Sequence, residues 1–208
     1  MSFDLWFAFA AASTALVLIP GPTVLLVLSY ALSQGRRVAV ASASGVALGD
    51  FIAMSLSLAG LGALVLASAT LFTVLKWVGA AYLIYLGVKL LRRPPSEGLE
   101  AMGAQSVTGG GVFWHAAAVT ALNPKSIAFF IAFVPQFVVV GQPLLPQFAI
   151  LIATFVGIAT ANALTYALLA DRLRQTIRRP RVITWFTRAG GAALIGMGVM
   201  TALIRRQA

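Results

Sequence analysis

The sequence predicts an all-α integral membrane protein. It should have six transmembrane helices, arranged as two inverted three-helix repeats in which helices one and four are broken. Three observations lead there. Of 208 residues, 60% are hydrophobic and only 10% charged, and the mean hydropathy is +0.95; soluble domains carry about 25% charged residues. The apolar residues fall into runs long enough to cross a hydrocarbon core of ~30 Å, separated by short basic connections. The pattern of the first half also recurs in the second. At about 35 residues per span and loop, six spans fill the chain and leave no soluble domain.

The first apolar run, Leu5 to Leu32, carries no charge. As one helix it would rise about 42 Å at ~1.5 Å per residue, well beyond the core. Ile19-Pro20-Gly21-Pro22-Thr23 interrupts it. Two prolines remove N–H donors and the glycine loosens the backbone, so the helix should break here. Carbonyls freed at membrane depth are tolerated only against protein or a watery cavity, which makes the break a candidate binding site. The competing reading is a proline kink that only shapes helix packing. The start, Met1-Ser2-Phe3-Asp4, has no basic region and the apolar run continues past Pro22, so the segment reads as an uncleaved span.

Ser33-Gln34-Gly35-Arg36-Arg37 is a tight connection, and span two runs from Val38 to about Gly60-Leu61-Gly62 with Asp50 as its one charge. Span three covers about Leu71 to Leu91, with Lys76 and Lys89 near its ends. Residues 92–111 form the linker, opening on Arg92-Arg93-Pro94-Pro95 and closing on Gly109-Gly110-Gly111. The chain thus divides into repeat one (about 1–91), a cytoplasmic linker (92–111) and repeat two (about 112–208), within a single membrane domain. Span four, Phe113 to Val140, contains Asn123-Pro124-Lys125; Pro143 and Pro146 mark the next turn. Span five ends near Ala170, an arginine-rich loop covers Asp171 to Arg181, and span six runs from Val182 to Ile204 before Arg205-Arg206.

The net charge of +10 sits in these short loops, which marks topology and not a nucleic-acid surface. With the loops after spans one, three and five in the cytoplasm, eleven basic residues (Arg36, Arg37, Lys89, Arg92, Arg93, Arg172, Arg174, Arg178, Arg179, Arg181, Arg188) lie inside against Lys76, Arg205 and Arg206 outside. Both termini are then external. The arginines of 172–181 also suit anionic lipid headgroups. No cysteine and a single histidine, His115, leave neither thiolate nor paired-histidine metal sites, so no metal or cofactor is expected. There is no H-E-x-x-H, no aspartate pair and no Walker loop, which argues against an intramembrane protease or an ATP-driven pump.

The internal repeat is read from offsets. Gly79, Ala81, Leu83, Ile84, Gly87 and Val88 match Gly190, Ala192, Leu194, Ile195, Gly198 and Val199 at 111 residues. The stretch Gly45 to Asp50 lies over Gly157 to Asn162 at 112, and Pro22 pairs with Pro124 at 102. Three spans per unit is odd, so the halves insert upside down relative to each other, the plan of many secondary transporters.

The candidate chemistry follows. Asp50 falls about 18 Å into span two, near mid-membrane. A carboxylate there costs ~2.5–3.5 kcal/mol on insertion scales, so it should face the bundle interior. It is a candidate proton carrier or acceptor for a substrate ammonium, the bland alternative being a cap for a freed N–H. Lys125 lies too deep in span four to reach either face. It can neutralise Asp50 or receive a substrate carboxylate beside a half-helix start, or form a purely structural pair with Asp50. Asn162 is the repeat counterpart of Asp50, and Asn123 is placed to satisfy carbonyls released by Pro124; both read first as inward polar glue. Gly45, Gly49, Gly190 and Gly198 read as helix-packing positions. Trp77, Tyr82, Tyr85, Trp114 and Trp185 read as interfacial or lipid-facing bulk.

Pro20-Gly21-Pro22-Thr23, Gly45 to Asp50, Lys76 to Gly87, Asn123-Pro124-Lys125 and Pro135-Gln136-Phe137 together resemble the LysE/RhtB family of bacterial amino-acid exporters over the whole chain. The resemblance implies export of amino acids or close derivatives across the bacterial cytoplasmic membrane, driven by the proton-motive force. The partners are then a small-molecule substrate, protons as coupling ion and membrane lipids; the chain is compatible with a homo-oligomer. Asp50 and carbonyls near Pro20-Gly21-Pro22 would accept the substrate ammonium, and Lys125 with nearby N–H groups near Pro124 its carboxylate. The alternatives are export of another small solute or a cation, a structural or regulatory membrane subunit, and an intramembrane enzyme.

Overall fold

The computed structural model describes residues 1–19, 21–67, 69–92, 109–139, 141–177 and 180–203. Among them it is all-helical, with no strand. Helix α1 (Phe3–Leu18) starts where the Ser2 side chain accepts a hydrogen bond from the Leu5 N–H at 3.4 Å. It stops at Ile19, whose backbone is extended. Helix α2 (Pro22–Gln34) opens on proline, which needs no N–H donor in a first turn. It closes at Gly35 with φ +83°, a left-handed conformation that favours glycine and turns the chain straight into α3 (Arg36–Ala67). Pro20 lies outside the described residues.

Helix α4 spans Ala69–Leu91. After the linker, α5 (Gly109–Ala121) and α6 (Pro124–Ala132) form the second interrupted segment, followed by a 3-10 turn over Val134–Phe137. Helix α7 covers Leu144–Ile177 and α8 Pro180–Leu203. The segment α1–α2 bends by 55° at its break and α5–α6 by 44°. Among the described residues, Arg36–Gly60 in α3 and Leu144–Ala170 in α7 are long and apolar enough to cross a membrane, and each bent pair passes the same test as one span.

Some boundaries differ from expectation. Gly109, Gly110 and Gly111, placed in the linker, form the first turn of α5. Helix α7 runs on through Asp171 to Ile177, part of the expected loop, because Arg, Leu and Gln are good helix formers and nothing there breaks the backbone ladder. Proline 135 adds a 3-10 turn that span four was not expected to hold. Most of the linker, 93–108, falls outside the described residues, as do Arg178 and Arg179.

Two apolar clusters hold the helices. One gathers Phe9, Phe129, Phe130, Phe133 and Phe155, with the Phe130 and Phe155 rings edge to face at 4.7 Å. The other is finer-grained, with Val27, Ala39, Ala43, Val46, Ala116 and Ala163 joining α2, α3, α5 and α7. Small residues let backbones close in. A side chain at Gly49 would stand 2.5 Å from the Ala117 carbonyl of α5, and one at Gly191 of α8 would stand 2.8 Å from the Gly87 carbonyl of α4. Phe3, Leu56, Trp114 and Trp185 face outward, each about two-thirds exposed. That is the distribution expected of a surface meeting hydrocarbon.

Candidate functional site

The pocket lies between the two helix breaks. At the first, α1 ends and its last carbonyls lose their i+4 helical partners, the Leu16 carbonyl keeping a bond from the Ile19 N–H at 3.3 Å. Three are taken by side chains from the second half of the chain. Lys125 Nζ donates to the Leu16 carbonyl at 3.2 Å and to the Ile19 carbonyl at 3.1 Å. Asn162 Nδ2 donates to the Val17 carbonyl at 3.2 Å. Gly21 makes room for the lysine: a Cβ there would stand 3.2 Å from Nζ and 3.5 Å from Cε.

At the second break the chemistry is reversed. Pro124 opens α6, and Asn123 caps it by accepting the Lys125 N–H on Oδ1 at 3.1 Å. The expectation that Asn123 would satisfy released carbonyls is therefore corrected. In the extended backbone of an N-cap, its short side chain reaches forward to an orphan N–H. Its Nδ2 donates instead to Thr23 Oγ1 at 3.2 Å, and Thr120 Oγ1 donates to the same oxygen at 3.4 Å. Thr23, in the first turn of α2, thus ties one break to the other. The first break presents carbonyls, the negative end of α1, and the second presents the amide end of α6.

Asp50 on α3 is buried, 4% exposed, and faces this space with Lys125. Their charges interact, yet no direct ion pair joins them and Asp50 makes no hydrogen bond among the described residues. The space around them comes to about 440 Å³ when its open mouth is counted, of which about 40 Å³ admits the centre of a water molecule. Asp50, Lys125, Asn123, Asn162, Thr23 and Ser126 supply its polar side chains, and its apolar wall includes Leu16, Val17, Val24, Val46 and Phe155.

Of the residues singled out from sequence, Asp50, Lys125, Asn123, Asn162 and Gly21 therefore meet in one pocket. Pro22 opens α2, Pro124 opens α6 without lining the pocket, and Pro20 is not described. Thr23 and Ser126 were missed as site residues, although each adjoins a residue that had been singled out. Among the described residues, no group of three or more His, Cys, Asp and Glu side chains is placed to hold a metal ion. His115, the single histidine, is exposed and paired, its Nδ1 lying 2.8 Å from the Tyr30 hydroxyl across α2 and α5.

Known proteins resemble this chain along most of its length. The model of the LysE type translocator family matches residues 14–204. The chain is 37% identical over 205 residues to the homoserine/homoserine lactone efflux protein of Salmonella typhimurium, covering 99% of each chain. It is 33% identical over 155 residues to the leucine efflux protein of the same organism, covering 74% of this chain and 73% of that one. An uncharacterized membrane protein of Vibrio cholerae is 32% identical over 203 residues, with 97% and 98% covered. No solved structure matches the chain.

Proposed function

The chain belongs to the LysE type translocator family, and from that premise we propose that it exports an amino acid or close derivative from the bacterial cytoplasm, coupled to proton entry. It is a translocator and not an enzyme. One observation carries the reading: two helix breaks, from opposite halves of the chain, share one pocket that holds a single acid and a single amine. A zwitterion needs acceptors for its ammonium and donors for its carboxylate. Asp50 and the carbonyls at the first break serve the former, and Lys125 with the amide end of α6 the latter. The apolar wall from Val17 to Phe155 takes the side chain. Asp50, buried and without a hydrogen-bond partner among the described residues, is the group to load and release the coupling proton.

The bent pairs α1–α2 and α5–α6 then count as spans one and four, α3 and α7 as two and five, and α4 and α8 as three and six. Offsets of 102 to 112 residues between the halves and the paired breaks support an inverted repeat, and the basic loops support external termini. Overproducing cells should resist a toxic amino-acid analogue and release the matching amino acid faster. Dissipating the proton gradient at constant ATP should slow that release. A panel of the common amino acids, homoserine and dipeptides that shows no change in efflux would move the reading to cation export.

A further inference from the structure

The ammonium of Lys125 is not where the charge of Asp50 alone would draw it. A carboxylate is the stronger partner for a cation, since charge-assisted hydrogen bonds on both sides are shorter and stronger than bonds to neutral acceptors. Yet Nζ lies 3.2 Å and 3.1 Å from two neutral carbonyls, those of Leu16 and Ile19, and makes no direct ion pair with Asp50. Those carbonyls close the C-terminal end of α1, where the helix dipole favours a cation. Leu16 and Asp50 both line the cavity, so it offers one cation two acceptors, one filled and one unpartnered among the described residues.

We propose that the carbonyls of Leu16 and Ile19 are the substrate-ammonium site, that Lys125 fills it in the unloaded protein as a tethered stand-in, and that loading passes the lysine to Asp50. The inference rests on the export reading and adds to it an order of events and a chemical class. The stand-in specifies its replacement. Nζ is a primary ammonium with three N–H donors, and the α-ammonium of an amino acid carries the same three. A quaternary ammonium has none. Gly21 keeps the place open, because a Cβ there would crowd Nζ at 3.2 Å. The flexible stem of lysine allows the swing, where a rigid arginine fork would not fit the same exchange. Once moved, its three donors face Asp50 and the substrate carboxylate together. The Leu16 carbonyl also accepts the Ile19 N–H; in this scheme the Ile19 carbonyl too is never left without a donor, which removes the cost of exposing it inside the membrane before substrate arrives.

The test uses full-length Lys125→Ala protein, purified in detergent and followed by thermal melting. Ethylammonium should raise its melting temperature saturably and leave wild type unchanged at matched ionic strength, while tetramethylammonium should shift neither. Homoserine or leucine, whichever is exported, should raise the ethylammonium midpoint several-fold by competing for the carbonyls. No saturable shift would overturn the proposal. So would a midpoint that the exported amino acid leaves unmoved, since Lys125 would then be a fixed brace with substrate bound elsewhere. If Lys125→Ala does not fold, Gly21→Ala decides: its new methyl crowds the ammonium position and should raise the efflux KM several-fold, and an unchanged KM overturns the assignment. A wild-type chain that exports nothing in the panel would sink the export reading alone, and the ethylammonium titration would still judge the carbonyl site.

Discussion

Replacing Gly49 with alanine should part α3 from α5 at the level of the pocket. The added methyl would stand 2.5 Å from the Ala117 carbonyl and 2.7 Å from Thr120 Cβ, where ordinary contact begins at 3.4 Å. The two helices must therefore move apart by roughly 0.9 Å, an overpacking change that costs ~1–3 kcal/mol. Asp50 is the next residue on α3, and Thr120 bonds to Thr23 beside Asn123, so the shift is delivered into the site. Misplacing a functional group by ~1 Å can cost on the order of a hundredfold in rate. Efflux should accordingly fall by roughly tenfold or more, alongside a lower melting temperature in detergent. Gly157→Ala is the control: nothing lies within 4 Å of a Cβ there, and alanine improves helix propensity by up to ~1 kcal/mol. If Gly49→Ala matched Gly157→Ala in both efflux and melting, close packing of α3 on α5 would not be what positions Asp50.

Three further outcomes follow. Asp50→Asn should impair efflux, and the double change Asp50→Asn/Lys125→Gln should recover folding without recovering coupled transport, because it removes the lone charge together with the coupling acid; wild-type rates and pH dependence in Asp50→Asn would show that this carboxylate does not carry the proton. Single cysteines at Ser2, Ser96 and Thr176, introduced into a chain that has none, report topology: an impermeant thiol reagent should label Ser2→Cys in intact spheroplasts and spare the other two, and the reverse would overturn the orientation. Gln147 is buried, its side chain accepting the Val139 N–H at 2.8 Å and donating to the Val139 and Pro143 carbonyls at 3.1 Å each. Gln147→Leu should cost ~1–3 kcal/mol through orphaned backbone groups and leave substrate preference unchanged, which melting and a competition-efflux panel will check.

Much of this site was legible because the membrane makes polar residues conspicuous. Asp50 and Lys125 stand out in apolar runs, and the prolines mark where the helices must stop. Asn162 stands out only through its offset from Asp50, a weak signal that the structure places in the pocket. Thr23 carried no signal of its own, since a threonine beside a proline is unremarkable until Asn123 reaches it across 100 residues of chain. The partner of Lys125 was out of reach for a different reason. Choosing between a carboxylate and two carbonyls depends on ångström-scale geometry at the break, which residue spacing does not encode. The boundaries missed at Gly109 and Ile177 share one cause: glycine and charge were read as loop signals, although helices commonly run on past the apolar stretch that defines the span.

The central claim is that this protein alone moves an amino acid outward at the expense of a proton gradient. Purified protein reconstituted into vesicles loaded with labelled homoserine or leucine, and diluted into acidic buffer, tests it without other cellular components. At least one of them should be released faster than from protein-free vesicles. That release should slow when a protonophore collapses the gradient and in vesicles carrying Asp50→Asn. Release indistinguishable from protein-free vesicles for both solutes and for the wider amino-acid panel, with folded protein confirmed in the bilayer, would contradict it.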